Sequence, residues 1–146
     1  MARSPRRLAE AEHVFPVCSP LLLAGERPLG YPGDLVHYTL LHVNLYPDEW
    51  LLWLTAAGLP TNLATRPGLT FDLGLMALQA AIDGLGIALG RTPFVKADIA
   101  AGRLIVPFDV VLPSEAGFYV VAPERTADTA KIARFREWLL AAATDR

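Results

Sequence analysis

Residues 68–90, GLTFDLGLMALQAAIDGLGIALG, determine the fold that we expect for this chain. Apolar side chains recur there at helical spacing and predict a helix over residues 71–83. The members of this apolar face are Phe71, Leu75, Leu78 and Ile82. Gly84 stands where a left-handed residue ends a helix, and residues 85–89 predict a short buried strand. A helix followed by a buried strand is typical of α/β domains.

The start of this predicted helix is the best candidate for a binding site. Thr70 can cap the helix, so that the backbone N–H groups of residues 71–73 face outward at its positive end. Such an end binds carboxylates and other small anions. Arg66 could add positive charge, and Phe71 could add an apolar wall. Ordinary helix capping is the alternative interpretation of the same residues.

Apolar runs and turn residues divide the rest of the chain into alternating strands and helices. Strands are predicted at residues 13–17, 39–43, 62–66, 104–108 and 118–121. Helices are predicted at residues 21–24, 48–57, 95–101 and 128–143, with Asp48 and Asp128 as the caps of the second and the fourth. The alternation predicts an α/β fold with a mainly parallel sheet.

Composition limits the functions that are open to the chain. Its 146 residues suffice for one domain with a sizeable core, and 53% of them are hydrophobic. The net charge of −2 gives no overall attraction to nucleic acid. Cys18 is the single cysteine, which excludes an internal disulfide and favours a cytoplasmic location. No apolar run is long enough to span a membrane.

No combination of residues in the sequence predicts catalysis. Cys18 has no acid or base near it in sequence, and Ser19 is better explained as a helix cap. His37 and His42 lack a third ligand, so neither a metal site nor a cofactor is expected. The glycines at 84, 86 and 90 precede a strand, whereas a dinucleotide-binding motif follows one. The function that we expect is therefore binding rather than chemistry.

Seven segments, taken in order, resemble the effector-binding domain of LysR-type transcriptional regulators. They are VFPVCSPLLLAG, YPGDLVHYTLLHV, EWLLWLTAAGL, ALQAAIDGLGIALG, ADIAAGRLIVPF, GFYVVAPE and IARFREWLLAAA. The resemblance is closest to the branch of glycine-cleavage activators and β-lactamase regulators. It extends from about residue 14 to the C-terminus.

This resemblance implies a type II periplasmic-binding-protein-like fold, with two α/β lobes, two crossover strands and a small effector between the lobes. Residues 1–13 would be an N-terminal tail, and residues 14–146 a partial effector-binding domain. Within it, residues 14–17 would be the first crossover strand and residues 19–113 the complete second lobe. Residues 117–146 would supply the return crossover and the C-terminal helix of the first lobe.

The resemblance also implies a site and its ligand. The turn that enters the central helix contributes to the effector cleft in this family. The residues expected there are Pro67, Gly68, Thr70 and Phe71, with Arg66 beside them and Thr39 at the border. A small carboxylate or an amino acid is the effector that we expect.

A full regulator of this kind begins with a helix-turn-helix and the first half of the first lobe, neither of which this sequence contains. We therefore expect no direct contact with nucleic acid. The C-terminal helix would keep an uncovered apolar face of Ile132, Phe135 and Leu139, which a partner chain would cover in a homo-oligomer or which would repack on the second lobe. The alternative function is a stand-alone dimerisation module that titrates full-length regulators.

Overall fold

The computed structural model describes residues 6–8, 11–114 and 116–144. The chain divides into two compact units, His13–Pro113 and a second unit that combines Met1–Glu12 with Ser114–Arg146. The strands are β1 (Arg6–Arg7), β2 (His13–Val17), β3 (Leu41–Val43), β4 (Leu69–Phe71), β5 (Ala88–Arg91), β6 (Leu112–Pro113) and β7 (Tyr119–Val120). The α-helices are α1 (Glu49–Ala56), α2 (Gly74–Ile82), α3 (Thr92–Ala100) and α4 (Ala130–Thr144). Short 3-10 helices cover Pro20–Ala24, Pro32–His37 and Thr61–Thr65.

The strands of the His13–Pro113 unit pair in both directions. β3 and β4 run parallel, and Leu40 forms a parallel bridge with Ile87 just before β5. β2 lies between β5 and β6 and is antiparallel to both. The prediction of a mainly parallel sheet is therefore wrong for β2. A crossover helix makes the two strands that it joins parallel. β2 comes before the first pair of strands joined in this way, so the alternation does not fix its direction.

The central strand segments of this unit, at residues 17–18, 40–41 and 87–88, are buried on both faces, whereas β4 is largely exposed. Neighbouring strand residues point to opposite sides, so each pair supplies one side chain to each of two apolar clusters. These pairs are Val17 and Cys18, Leu40 and Leu41, and Ile87 and Ala88. Trp50 and Trp53 of α1 pack in the first cluster, and Leu78 of α2 packs in the second. The result is a layered α/β arrangement with helices on both sides.

Two predicted strands are wrong. Residues 62–66 lie largely in the 3-10 helix Thr61–Thr65, in which the Thr65 hydroxyl donates to the Asn62 carbonyl at 3.0 Å. Leu63 alone is buried there, so the segment lacks the alternating burial of a strand. Residues 104–108 form only one bridge, Ile105 to Cys18. Pro107 has no N–H to extend this pairing.

The helix predicted over residues 71–83 begins three residues later than expected, at Gly74 of α2. Pairing explains the shift, because Thr70 and Phe71 lie in β4 opposite His42 and Val43. The buried face of α2 consists of Ala77, Leu78, Ala80 and Ala81, while the predicted Leu75 is 66% exposed. The predicted helix end is confirmed, since Gly84 has a φ of +81°. The strand that follows is β5, three residues later than its predicted start at residue 85.

The second unit contains β1, β7 and α4. β1 pairs antiparallel with β7, and the Leu8 N–H donates to the Phe118 carbonyl at 2.8 Å. This part of the predicted N-terminal tail is thus a strand, whereas residues 1–5 and 9–10 lie outside the described residues. α4 begins at Ala130, and the carboxylate of Asp128, the predicted cap, lies 3.8 Å from Nη2 of Arg136.

Candidate functional site

The entry to β4 depends on a glycine. A Cβ atom at Gly68 would lie 2.5 Å from the carbonyl oxygen of Leu40 and 3.2 Å from Cδ2 of His42. A larger residue would therefore push β4 away from β3 at the point where their pairing begins. With glycine in place, Thr70 lies opposite His42. This register puts polar side chains of both strands on one face.

A cavity of about 280 Å³ lies on this face. Its lining combines both strands with the segment around Thr61–Thr65, and consists of His42, Val43, Asn44, Pro47, Ala64, Arg66, Gly68 and Thr70. Three of the residues predicted from the sequence, Arg66, Gly68 and Thr70, therefore come together here. His42 and Asn44 were not predicted for the site, and they join it because alternate residues of a strand share a face.

The lining of this larger cavity is polar and contains no Asp or Glu. Nη1 of Arg66 donates to the Val36 carbonyl at 2.8 Å, which occupies only one of the N–H donors that a guanidinium carries. Burial lowers the pKa of His42, so its imidazole is neutral at pH 7. Nδ2 of Asn44 donates to Oδ1 of Asp72 at 2.6 Å. A guanidinium, a neutral imidazole, an amide and a hydroxyl thus surround one space.

A second cavity of about 150 Å³ adjoins the amino ends of the same strands. Two more of the predicted residues, Thr39 and Pro67, line this smaller cavity. Arg66 lines both the smaller and the larger cavity. The full lining is Arg27, Leu35, Val36, His37, Tyr38, Thr39, Leu40, Leu63, Arg66 and Pro67.

Phe71 lines neither cavity. It is half-buried and packs against the cluster that contains Leu41 and Leu78. Thr70 is not the cap of α2 either, because the N-cap residue is Leu73 and no side chain caps it. The outward N–H groups expected at residues 71–73 therefore belong to the first turn of α2, which starts at Gly74. The positive end of α2 therefore lies three residues beyond the position predicted for the site.

Sequence reasoning missed the carboxyl ends of the strands, where α/β proteins commonly bind ligands. Asn44 follows β3, Asp72 follows β4, and Arg91 ends β5. Arg91 forms an ion pair with Glu49, and its guanidinium lies 4.0 Å from the centre of the Tyr46 ring. The signal was present in the sequence, since a polar residue stands at or directly after the end of each of these strands.

Other kinds of site receive little support. Burial raises the pKa of Cys18 to about 11, so its thiol stays protonated at neutral pH and is a poor nucleophile. Over the described ranges, no group of three or more His, Cys, Asp or Glu side chains could hold a metal ion. No helix in the same ranges is long and apolar enough to cross a membrane.

Comparison with known proteins identifies a family. Residues 6–144 match the LysR substrate binding domain. The glycine cleavage system transcriptional activator of Escherichia coli K12 is 44% identical over 133 residues, which are 91% of this chain and 43% of that protein. The transcriptional activator AmpR of Pseudomonas aeruginosa is 32% identical over 124 residues, 85% of this chain and 40% of that protein. The chain thus spans about two fifths of the length of these relatives.

Solved structures agree with the family match. The effector domain of AmpR from Pseudomonas aeruginosa superposes with a TM-score of 0.77 and 30% identity, over 96% of this chain and 65% of that one. This similarity confirms the expected fold class, an α/β fold of the type II periplasmic-binding-protein kind. The relatives that match are transcriptional regulators rather than enzymes.

Proposed function

Because the chain belongs to the family of LysR substrate-binding domains, we propose that it is the effector-sensing part of a cytoplasmic transcriptional regulator. The observation that carries the proposal is the larger cavity, whose lining contains Arg66, Gly68 and Thr70. Effector binding would change the balance between conformations of the domain, which a DNA-binding region then reads.

The chemistry of the larger cavity suits a small molecule that carries a carboxylate. The free N–H groups of Arg66 would bind the carboxylate in a planar, two-point geometry, with the Thr70 hydroxyl as a further donor. Thr39 and Pro67 would form the adjoining wall, while Phe71 would contribute only indirectly, by packing β4 against the cluster that contains Leu41 and Leu78. Gly68, which has no side chain, would leave room for the ligand beside His42.

An amino acid fits this lining better than a simple carboxylate. Nδ2 of Asn44 donates to Asp72, which does not line the cavity, and this leaves the amide oxygen of Asn44 as an acceptor for an ammonium group. The relative in Escherichia coli is named for the glycine cleavage system, so one relative is linked to an amino acid by name. A zwitterion would place its carboxylate against Arg66 and its ammonium group against the amide oxygen of Asn44.

A thermal-shift screen with amino acids, short organic acids and β-lactam fragments tests this proposal, followed by calorimetry of the best ligand. Arg66→Ala should weaken binding by about tenfold or more, and Thr70→Val by a smaller factor. Arg103→Ala is the matched control, because it removes an exposed arginine that lines neither cavity. If Arg66→Ala and Arg103→Ala bind the ligand equally well, the larger cavity is not the effector site.

α4 supports a role in self-association. Phe135 is 59% and Trp138 62% exposed, their rings lie 5.8 Å apart, and Ile132 and Leu139 are only half-buried. Covering this face in a homo-oligomer would remove apolar area from water. Light scattering should give a dimer, and the double variant Phe135→Ser with Trp138→Ser should give a monomer. A wild-type monomer at high concentration would count against self-association.

The same apolar face of α4 favours a second candidate function, a dimerisation module that titrates full-length regulators. Pull-down of a full-length relative by the chain, together with no thermal shift from any small molecule, would favour it over effector sensing. Loss of the pull-down in the Phe135→Ser, Trp138→Ser variant would assign the contact to α4.

A further inference from the structure

The smaller cavity is lined by two arginines with anchored side chains. Nη1 of Arg27 donates to the His37 carbonyl at 2.7 Å, and Nη1 of Arg66 donates to the Val36 carbonyl at 2.8 Å. These carbonyls belong to adjacent residues at the end of the 3-10 helix Pro32–His37. Both guanidinium groups are therefore held beside the C-terminal end of this helix. The Tyr38 hydroxyl also donates to the Arg27 carbonyl at 2.8 Å, which holds the backbone of Arg27 in place.

Capping of the 3-10 helix accounts for only one donor of each arginine. A guanidinium carries further N–H groups in a planar fork, and these are not used by the two carbonyl contacts. Thr39 in the same lining can add a hydroxyl donor, whereas the Tyr38 hydroxyl is already bonded to the Arg27 carbonyl. The cavity therefore presents several donors from two directions.

The charges around the smaller cavity are unbalanced. None of its lining residues is Asp or Glu. The buried carboxylate of Asp34 lies in the same 3-10 helix, but its Oδ2 already accepts from the backbone N–H groups of Gly30 at 2.8 Å and Tyr31 at 3.2 Å. Two like charges that line one space repel each other, and an anion between them would relieve the repulsion.

The size of the cavity restricts the class of ligand. Its volume of about 150 Å³ is below the roughly 300–1,000 Å³ of pockets that bind drug-sized molecules. We propose that the smaller cavity is a second binding site, specific for a small oxyanion of the size of phosphate or a short carboxylate. Arg27 and Arg66 would bind the anion from two sides, with the Thr39 hydroxyl as an additional donor.

This anion site is separable from the proposed effector site. Arg27 lines only the smaller cavity, Thr70 lines only the larger one, and Arg66 borders both. A variant at Arg27 therefore tests the anion site alone, and a variant at Thr70 tests the effector site alone. Either proposal can fail while the other stands.

Isothermal titration of the full chain with inorganic phosphate, and separately with acetate, at low ionic strength tests the site. We expect saturable one-site binding of at least one of the two anions. Arg27→Ala and Arg66→Ala should each weaken it by about tenfold or more, and Arg27→Lys by less, because lysine keeps the charge but loses the planar fork. Which anion binds more tightly distinguishes a phosphate site from a carboxylate site.

Thr70→Val and Arg103→Ala are the matched controls, and both should bind the anion as the wild-type chain does. If neither phosphate nor acetate shows saturable binding, the proposal is overturned. An equal loss of anion affinity in Arg27→Ala and Arg103→Ala would also overturn it, because that result would mean that the anion is attracted to positive charge anywhere on the chain. Unchanged thermal unfolding of Arg27→Ala without anion confirms that the variant is folded.

Discussion

The His13–Pro113 unit and helix α4 use similar residues to very different effect. Trp50, Trp53 and Leu54 of α1 are all buried, and their unit contains every buried apolar side chain of the described residues except Ala127. α4 is longer, at 15 residues, and carries Phe135, Trp138 and Leu139, yet none of its residues is buried.

The difference shows that an apolar face stabilises a helix only where other elements cover it. α1 packs on strands that are buried on both sides, so its tryptophans find partners at fixed positions. The rings of Trp50 and Trp53 meet edge to face at 5.9 Å, and Nε1 of Trp53 donates to the Val110 carbonyl at 3.0 Å. The cavities also lie in this well-packed unit, where their side chains are held in place.

The largest expected effect compares one tryptophan from each region. Trp53 is 0% exposed and Trp138 is 62% exposed. Trp53→Ala should lower the free energy of unfolding by roughly 3–5 kcal/mol because it leaves a large cavity and an unpaired Val110 carbonyl. Trp138→Ala should change it by less than about 0.5 kcal/mol. Urea denaturation measures both, and equal losses would mean that α4 is covered in solution.

A pair of glycines sharpens the comparison within the His13–Pro113 unit. Gly68→Ala should cost roughly 1–3 kcal/mol, because the new Cβ would overlap the backbone carbonyl of Leu40. Gly74→Ala, in the first turn of α2 with no atom within 4 Å of its Cβ, should be neutral or should stabilise by up to about 1 kcal/mol. Melting temperatures test the pair, and a tolerated Gly68→Ala would show that β3 and β4 do not need this close approach.

A smaller effect is expected from pH. Burial lowers the pKa of His42 below its ordinary value of 6.5 in the folded chain. As the pH falls, His42 is therefore protonated in the unfolded chain before it is protonated in the folded chain. Protonation of the unfolded chain lowers the free energy of unfolding as the pH falls below about 6.5. The urea midpoint should fall less between pH 7.5 and pH 5.5 in His42→Gln than in the wild-type chain. His37→Gln, which keeps His42, should retain the wild-type slope, and identical slopes in all three proteins would contradict the prediction.

The smallest change concerns reactivity and leaves stability untouched. Since burial raises the pKa of Cys18 to about 11 and encloses its side chain, the thiol should resist alkylation in the folded chain at about pH 8. It should react in urea at the rate of a free cysteine. Mass spectrometry after a timed pulse of iodoacetamide measures the difference, and rapid labelling without urea would mean that the β2 end opens readily.

The sequence predicted the elements whose signals are local. Gly84 has a φ of +81°, so the end of the central helix that this glycine predicts is confirmed. The helix predicted over residues 48–57 is confirmed as α1, which buries Trp50, Trp53 and Leu54. The predictions that failed depend on contacts between distant segments. Pairing with β3 makes residues 69–71 a strand rather than the start of α2, and no local pattern around Thr70 encodes that pairing.

The site also contains residues that local signals predict and residues that depend on contacts between distant segments. Arg66, Gly68 and Thr70 could be selected from a turn and a helix start, and they line the larger cavity. His42 and Asn44 join them only through the register of two strands that lie 28 residues apart along the chain, as the Asn44–Asp72 bond illustrates. Their place in the site could not be predicted without that register.

Hydrogen exchange of the full chain, with and without the ligand that gives the largest thermal shift, tests the central claim most directly. The claim is that the His13–Pro113 unit holds both the core and the ligand site. We predict slow exchange in α1 and α2 and faster exchange in α4, with ligand-induced protection at residues 41–47 and 61–71. Protection confined to residues 130–144, or exchange in α4 as slow as in α1, would contradict the account.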